Sequence, residues 1–346
     1  MTVLPAYAVG FSARKRPLLR AFYDEQPLRF CSQCNEVPDG ADLVVWGAAP
    51  VPDQPRFARV LRVEDGFVRS VGLGAAFARP LSWVIDPVGI HYDPAQPSLL
   101  EDTLQRHSFT PELLARAAQL RARIVRAGLT KYNLAAPPWT RPGRVGPVLL
   151  VVGQVETDQS LRLGSPHWHS NVALLRELRR TRPDAYLLYK PHPDVCAGLR
   201  RAGSEEHLAG ACCDEVLMHG DMAQLVSAVD ECHVLTSLAG FEALLRGARV
   251  VAHGLPFYSG WGLTQDMLPL QRRSRRLSLD ELVAGTLLLY PRYFSQRLGR
   301  RVPAEMALDE LEAQRAASGV GKSLHLAWGA WAGRLVNRIR TEATGI

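Results

Sequence analysis

Lysine is scarce in this chain of 346 residues. It occurs at Lys15, Lys131, Lys190 and Lys322, and the remaining 37 of the 41 basic residues are arginine. Long apolar runs are missing as well, since none approaches the ~18 residues of a membrane-spanning helix. Cysteine is thinly spread, at Cys31, Cys34, Cys196, Cys212, Cys213 and Cys232. Six in a chain of this length do not make a disulfide scaffold, and reduced thiols in a cytosolic compartment are expected. Cys31-x-x-Cys34 has no second such pair and no His pair beside it, and His167 and His169 have no ligand-spaced company, so no metal site is expected. There is no P-loop, no G-x-G-x-x-G after a strand and no G-x-S-x-G. Met1 to Phe11 is apolar, but Arg14, Lys15 and Arg16 follow it rather than precede it, the reverse of a secretory signal.

At 47% hydrophobic and 22% charged residues the chain can bury a sizeable core, and its length suits two domains. The net charge is +7, and six of those excess charges fall from Arg272 onward. A nucleic-acid binder would spread basic charge over its main surface, so none is expected as a partner.

Seven short apolar runs end abruptly in Gly, Asp or Pro: Asp42–Trp46, Arg59–Val63, Trp83–Ile85, Pro147–Val152, Ala185–Tyr189, His233–Thr236 and Arg249–Ala252. Continuous rather than alternating apolar runs fit strands covered on both faces of a parallel sheet. Helical periodicity fills the gaps, at Pro111–Ala127 (with Thr110 as N-cap), Ser170–Arg182, Asp221–Val229, Gly240–Arg246 and Leu279–Leu289. Ala135–Gly146, with three prolines and two glycines, reads as an extended linker. The expectation is an α/β chain of two Rossmann-like domains facing a cleft, 1–140 and 141–290, followed by a helical basic tail, 291–346.

Polar clusters stand at the exits of four runs: Glu64-Asp65-Gly66, Gly153 to Asp158, Lys190-Pro191-His192-Pro193 and Thr236-Ser237. Ligands of open α/β sheets bind outside the carboxyl ends of the strands, so these exits point to a site between the domains. Thr236, Ser237 and Gly240 open a helix whose N–H groups suit an anion, and Glu242 could accept from sugar hydroxyls; an ordinary N-cap explains the Ser and Glu equally. Lys190 and His192 offer a point charge and a donor to a phosphate. Glu64, Asp65, Glu156 and Asp158 could place a nucleophile and an acid/base on facing exits, as retaining sugar chemistry requires; a plain turn and a helix cap are the structural alternatives.

The motifs are also recognisable. Val63 to Gly74, Pro80-Leu81-Ser82-Trp83, Gly89 to Asp93, Leu129 to Leu134, Gly153 to Ser160, Lys190 to Asp194 and Thr236 through Thr264 resemble the capsule polysaccharide β-Kdo transferases of the KpsC type, in order, from about residue 40 to 265. Typical members carry two modules in tandem; this chain has one, more like the second. The resemblance implies a modified GT-B-like fold. It implies transfer of Kdo, an acidic eight-carbon ketose, from CMP-Kdo to a phospholipid-linked Kdo acceptor with retention, without a metal or other cofactor. It implies Asp158 as nucleophile through a covalent Kdo–Asp adduct, with Glu64 as acid/base and Asp65 second. Gln154, Lys190, His192, Thr236, Ser237, Gly240 and Glu242 then hold the nucleotide, and Arg69 faces the Kdo carboxylate. The alternatives are another CMP-activated acidic sugar, such as a sialic acid, or a non-catalytic glycolipid-binding assembly subunit. A cytoplasmic location is expected. From Lys322 onward, Leu324, Trp328, Trp331, Leu335 and Ile339 recur at helical spacing among basic residues, which suits either an anionic inner-membrane surface or packing on the core.

Overall fold

The computed structural model describes residues 5–52, 56–73, 78–134, 136–143 and 146–317. The strands are β1 (Ala6–Val9), β2 (Leu28–Cys31), β3 (Leu43–Trp46), β4 (Val60–Asp65), β5 (Ser82–Asp86), β6 (Val148–Val152), β7 (Tyr186–Lys190), β8 (Glu215–Val216), β9 (Glu231–Val234), β10 (Arg249–Ala252), β11 (Gln265–Asp266), β12 (Arg292–Ser295) and β13 (Arg300–Val302). They form two sheets. The second, in the order β11-β10-β9-β6-β7-β8, is parallel throughout. Counted within its own half this is the doubly wound order 3-2-1-4-5-6, with its switch point between β6 and β9. The first sheet runs β13-β12-β5-β4-β3-β1-β2. Its β2-β1-β3-β4 part is parallel, whereas β5, β12 and β13 pair antiparallel.

The helices are α1 (Lys15–Phe22), α2 (Leu99–Arg106), α3 (Pro111–Arg126), α4 (Gln159–Gly164), α5 (Asn171–Thr181), α6 (Pro193–Cys196), α7 (Ala209–Cys212), α8 (Met222–Ala228), α9 (Ala239–Leu245), α10 (Leu279–Val283) and α11 (Ala304–Ala317). Thr110 caps α3 as expected, and Ser170 and Asp221 cap α5 and α8, each side-chain oxygen accepting a backbone N–H of the first turn. The helix from Leu279 changes hand-hold at Ala284, where its last six residues form a π-helical turn.

The C-terminal segment differs from the expectation of a helical tail from Pro291. Residues 292–302 are β12 and β13, an antiparallel pair that returns to the first sheet beside β5. Tyr293 and Ser295 are buried there and Arg292 and Phe294 half-buried, a period-2 pattern hidden in a short polar stretch. Only then does α11 begin. Its Ala307, Leu308 and Leu311 share one core with Ala117, Leu120 and Ile124 of α3 and Leu282 and Val283 of α10. Arg116–Glu305 (2.6 Å) and Arg123–Asp309 (2.7 Å) border this contact. Such exposed pairs contribute ~0.2–1 kcal/mol each, whereas each buried Leu contributes ~1.5–3, so packing fixes the helix. The basic excess is also partly accounted for. Arg272 and Arg273 both bind Glu101, the latter at 2.8 Å, Arg292 binds Glu25, and Arg301 binds Asp24 at 2.7 Å. These arginines staple the late chain to acids of the first half. The Lys322–Ile339 pattern lies outside the described residues.

Candidate active site

Both sheets present their carboxyl ends to one cavity of about 1350 Å³. On the first sheet, β4 delivers Glu64 and Asp65 at its end, opposite Trp83 of antiparallel β5. Asp65 is fully engaged: Trp83 Nε1 donates to Oδ1 at 3.0 Å and Arg69 Nε to Oδ2 at 2.6 Å. Arg69 also donates through Nη1 to Ser70 Oγ and the Ala78 carbonyl. Glu64 is held more loosely. Its Oε1 accepts from the Asp65 N–H at 3.0 Å, and Tyr92 Oη donates to Oε2 at 3.3 Å. Burial, and then the neighbouring Asp65 charge, raise the Glu64 pKa to about 7. A side chain at Gly47 would meet Tyr92 Oη at 2.4 Å, and Gly47 adopts φ 53°, so glycine leaves Tyr92 its place beside Glu64. His91 lines the same wall and packs edge-on against Phe67; burial lowers its pKa to about 3.

On the second sheet, the exits of β6, β7 and β9 converge at the switch point. Gln154, after β6, donates through Nε2 to Thr236 Oγ1 (2.9 Å) and Ser160 Oγ (3.0 Å), and its Oε1 accepts from Thr236 N–H (3.3 Å). Gln154 therefore welds the β6 and β9 exits together. Asn171 at the start of α5 fixes the same loop through both backbone groups of Gln154. Asp158, the cap position of α4, makes no capping bond; its carboxylate is paired with Arg200. Burial raises its pKa, against the opposing pull of Arg200 and Lys131.

His192, at the head of α6, accepts from the Asp194 N–H through Nδ1 at 3.1 Å. A neutral ring with Nδ1 accepting carries its proton on Nε2, as a donor. Burial first, then Lys131, Lys190 and Arg200, lower its pKa to about 3, so it stays neutral. Lys190 is buried at the end of β7, and burial lowers its pKa. Ser237 lines the cavity beside Thr236 and accepts from Ala239 N–H at 3.3 Å.

The cavity thus gathers Glu64, Asp65, Arg69, Gln154, Asp158, Lys190, His192, Thr236, Ser237 and Glu242. Three expectations change in detail. Gly240 does not line the cavity; a Cβ there would meet Tyr258 Oη at 2.2 Å, and Tyr258 donates to the Ser237 carbonyl, so the glycine makes room for the ring that steadies Ser237. Glu156 does not line it either, and accepts from Asn171 N–H at 2.9 Å. Glu242 does, but its Oε1 accepts the Lys131 N–H at 2.6 Å and ties α9 to the loop after α3. Sequence reasoning passed over Lys131, Arg200, Tyr92 and Asp194 as site residues. Their positions lay inside or just after the motifs, but nothing in their spacing showed which cavity they enter.

Residues 48–137 and 116–293 match the family described as capsule polysaccharide biosynthesis protein. The chain is 40% identical over 331 residues to the capsule polysaccharide modification protein LipA of Neisseria meningitidis serogroup A, covering 92% of this chain and 47% of that protein. It thus spans about half the length of that relative. It is 38% identical over 302 residues to the lipopolysaccharide-processing protein LpsZ of Rhizobium meliloti, covering 85% of this chain and 68% of the other. Among solved structures, the KpsC beta Kdo 2,7 transferase of Thermosulfurimonas dismutans superposes with a TM-score of 0.75 at 37% identity, and the beta Kdo 2,4 transferase of the same protein with 0.76 at 31%. Each covers 90% of this chain, which covers 99% of each.

Proposed function

The chain belongs to the capsule polysaccharide biosynthesis family, with the GT-B-like fold of the Kdo transferases, and from that premise we propose that it moves Kdo from CMP-Kdo to a lipid-linked Kdo acceptor with retention of configuration. The observation that supports this most is the meeting of two differently placed carboxylates, Glu64 and Asp158, from opposite sheets in one cavity with Lys190, His192 and Ser237.

In the first step an Asp158 oxygen attacks the anomeric carbon as its bond to the phosphate oxygen breaks. CMP leaves as a monophosphate, an adequate leaving group without protonation. Lys190, the His192 Nε2–H and the Ser237 hydroxyl receive its charge, and Thr236, ordered by Gln154, shapes the loop around it. In the second step Glu64 takes the proton of the acceptor hydroxyl, whose oxygen attacks the same carbon from the opposite face and releases Asp158. Two inversions give net retention. Asp65, held by Trp83 and Arg69, adds its charge to burial in raising the Glu64 pKa. The likeness to two Kdo transferases favours Kdo over other acidic sugars.

The test is incubation of the protein with CMP-Kdo and a synthetic Kdo glycoside. Transfer of one Kdo, with a protein adduct of one Kdo mass mapping to Asp158 when acceptor is left out, is expected. Turnover of CMP-sialic acid with none of CMP-Kdo would overturn the donor; an adduct on another residue would overturn the nucleophile.

A further inference from the structure

A sugar acid activated at its anomeric carbon sets an electrostatic problem at the site just described. Its carboxylate is bonded to the carbon that Asp158 attacks, so two anions must approach within a few ångströms, and repulsion opposes this unless a cation serves both. Arg69, the expected partner of that carboxylate, already holds Asp65, the Ser70 hydroxyl and the Ala78 carbonyl. Arg200 holds Asp158. Lys190 is buried at the end of β7, where Cys196, Glu242 and Asp221 act on its charge, on the proposed nucleotide side.

Lys131 is placed differently. It lines the cavity on the loop that follows α3, and its charge acts on Glu64 of the first sheet and on Asp158, His192 and Asp194 of the second, while Tyr132, Asp65 and Glu64 in turn favour its charged form against burial. Among the described residues its ammonium donates no hydrogen bond and pairs with no carboxylate within ion-pair distance; the Tyr132 ring lies 5.3 Å away. Its backbone, in contrast, is locked. The Lys131 N–H donates to Glu242 (2.6 Å) and its carbonyl accepts from Ser70 N–H (3.3 Å). Buried Asn133, at φ 53°, closes the loop by donating to the carbonyls of Ser70 and Thr130. A rigid loop that carries an unpaired, partly desolvated cation into a cleft is built for an anion that arrives from outside.

We infer that Lys131 is the residue that recognises the carboxylate of the donor sugar and so selects ulosonic acids over neutral sugars. The inference rests on the transferase reading above and names the recognition group within that site. Seated between Glu64 and Asp158, the ammonium offsets the repulsion between nucleophile and substrate, and it holds the anomeric carbon in line for attack.

The experiment compares the unaltered protein with Lys131→Met and Lys131→Arg. It measures CMP release from CMP-Kdo, inhibition by CMP, and turnover of a donor whose carboxylate is reduced to a hydroxymethyl group. A lost charge-assisted contact corresponds to about 10- to 100-fold in donor KM, so the methionine variant is expected to show that rise. Its CMP inhibition constant should stay within about twofold, because Lys190 and His192 hold the phosphate, and arginine should restore part of the loss. The unaltered protein should discriminate against the reduced donor, and the methionine variant should not, since both changes remove the same pair. An unchanged donor KM, or a parallel rise in the CMP constant, overturns the inference and leaves the transferase intact. So does an unaltered protein indifferent to the reduced donor, a result that stands even if Lys131→Met fails to fold. An unaltered protein that releases CMP from neither CMP-Kdo nor CMP-sialic acid overturns the transferase reading itself.

Discussion

On the first-sheet wall of the cleft, Glu64 lies against Asp65, Tyr92 and the wall that carries the Phe67–His91 pair. On the second-sheet wall, Asp158 lies against Arg200, with Lys131 acting on it from the loop between the halves. Burial acts on both. A like charge adds to it for Glu64, whereas positive charges oppose it for Asp158. Different neighbours suit the two carboxylates to the different work proposed for them: the one raised to about 7 to move protons, and the one paired with Arg200 to attack. The two neighbours also differ in their partners, for Asp65 is held by the Trp83 and Arg69 side chains and Glu64 by a backbone N–H and the Tyr92 hydroxyl.

The sharpest way to break this comparison is Asp158→Asn. A nucleophile lost with its geometry kept is expected to lower transfer by about 10³-fold or more, with CMP binding by calorimetry unchanged; full activity would remove Asp158 from the chemistry. Glu64→Gln follows, with an expected fall of about 10²- to 10³-fold. In the unaltered protein kcat/KM should rise with pH through about 7, as Glu64 ionises, and the glutamine variant should lose that limb.

Glu64 also makes a signed statement about stability. Its folded pKa is raised above the ordinary 4.5, so the folded chain keeps a proton that the unfolded chain releases, and the folded state loses stability as pH climbs from 4.5 to about 7. The Tm advantage of Glu64→Gln should therefore grow across that window and level off above it; a difference independent of pH would contradict the placement of Glu64.

On the opposite wall, His192→Ala should lower kcat/KM by about 10-fold, with part of the loss in kcat because the ring receives charge that develops as CMP leaves. No pH dependence between about 5 and 8 should depend on that ring. Smallest is Tyr92→Phe. It removes a donor to the ionised form of Glu64, so the midpoint of the pH limb should move up by a few tenths of a unit, with kcat nearly unchanged.

Much of the second half was legible in advance because its strands are short apolar runs closed by turn residues, with helical periodicity that begins at Ser170 and Asp221. β9 was placed late, at His233 instead of Glu231, since a buried Glu231 bound to Arg182 and His233 does not read as strand from the chain alone. β12 and β13 were missed for a related reason. Their surroundings are rich in arginine, and the carboxylates that answer them, Glu25 and Asp24, stand more than 260 residues earlier. In the site, the motifs led to Asp158, Glu64, Lys190, His192 and Ser237, but Gly240 and Glu156 turned out to support the walls rather than line them.

What the sequence determined by itself is local: strand runs, caps, glycine-marked turns and the clusters at strand exits, all set by spacing over a few residues. What only the tertiary structure decided is which partners each carboxylate receives and which ammonium remains without one. Asp65 and Glu64 are neighbours in sequence, yet one is held by the Trp83 and Arg69 side chains while the other is held by a backbone N–H and the Tyr92 hydroxyl. Lys131 looked like one basic residue among many until both sheets closed around its loop. Charge and hydrogen-bonding capacity are properties of residues, but their availability depends on burial and on partners brought from far along the chain.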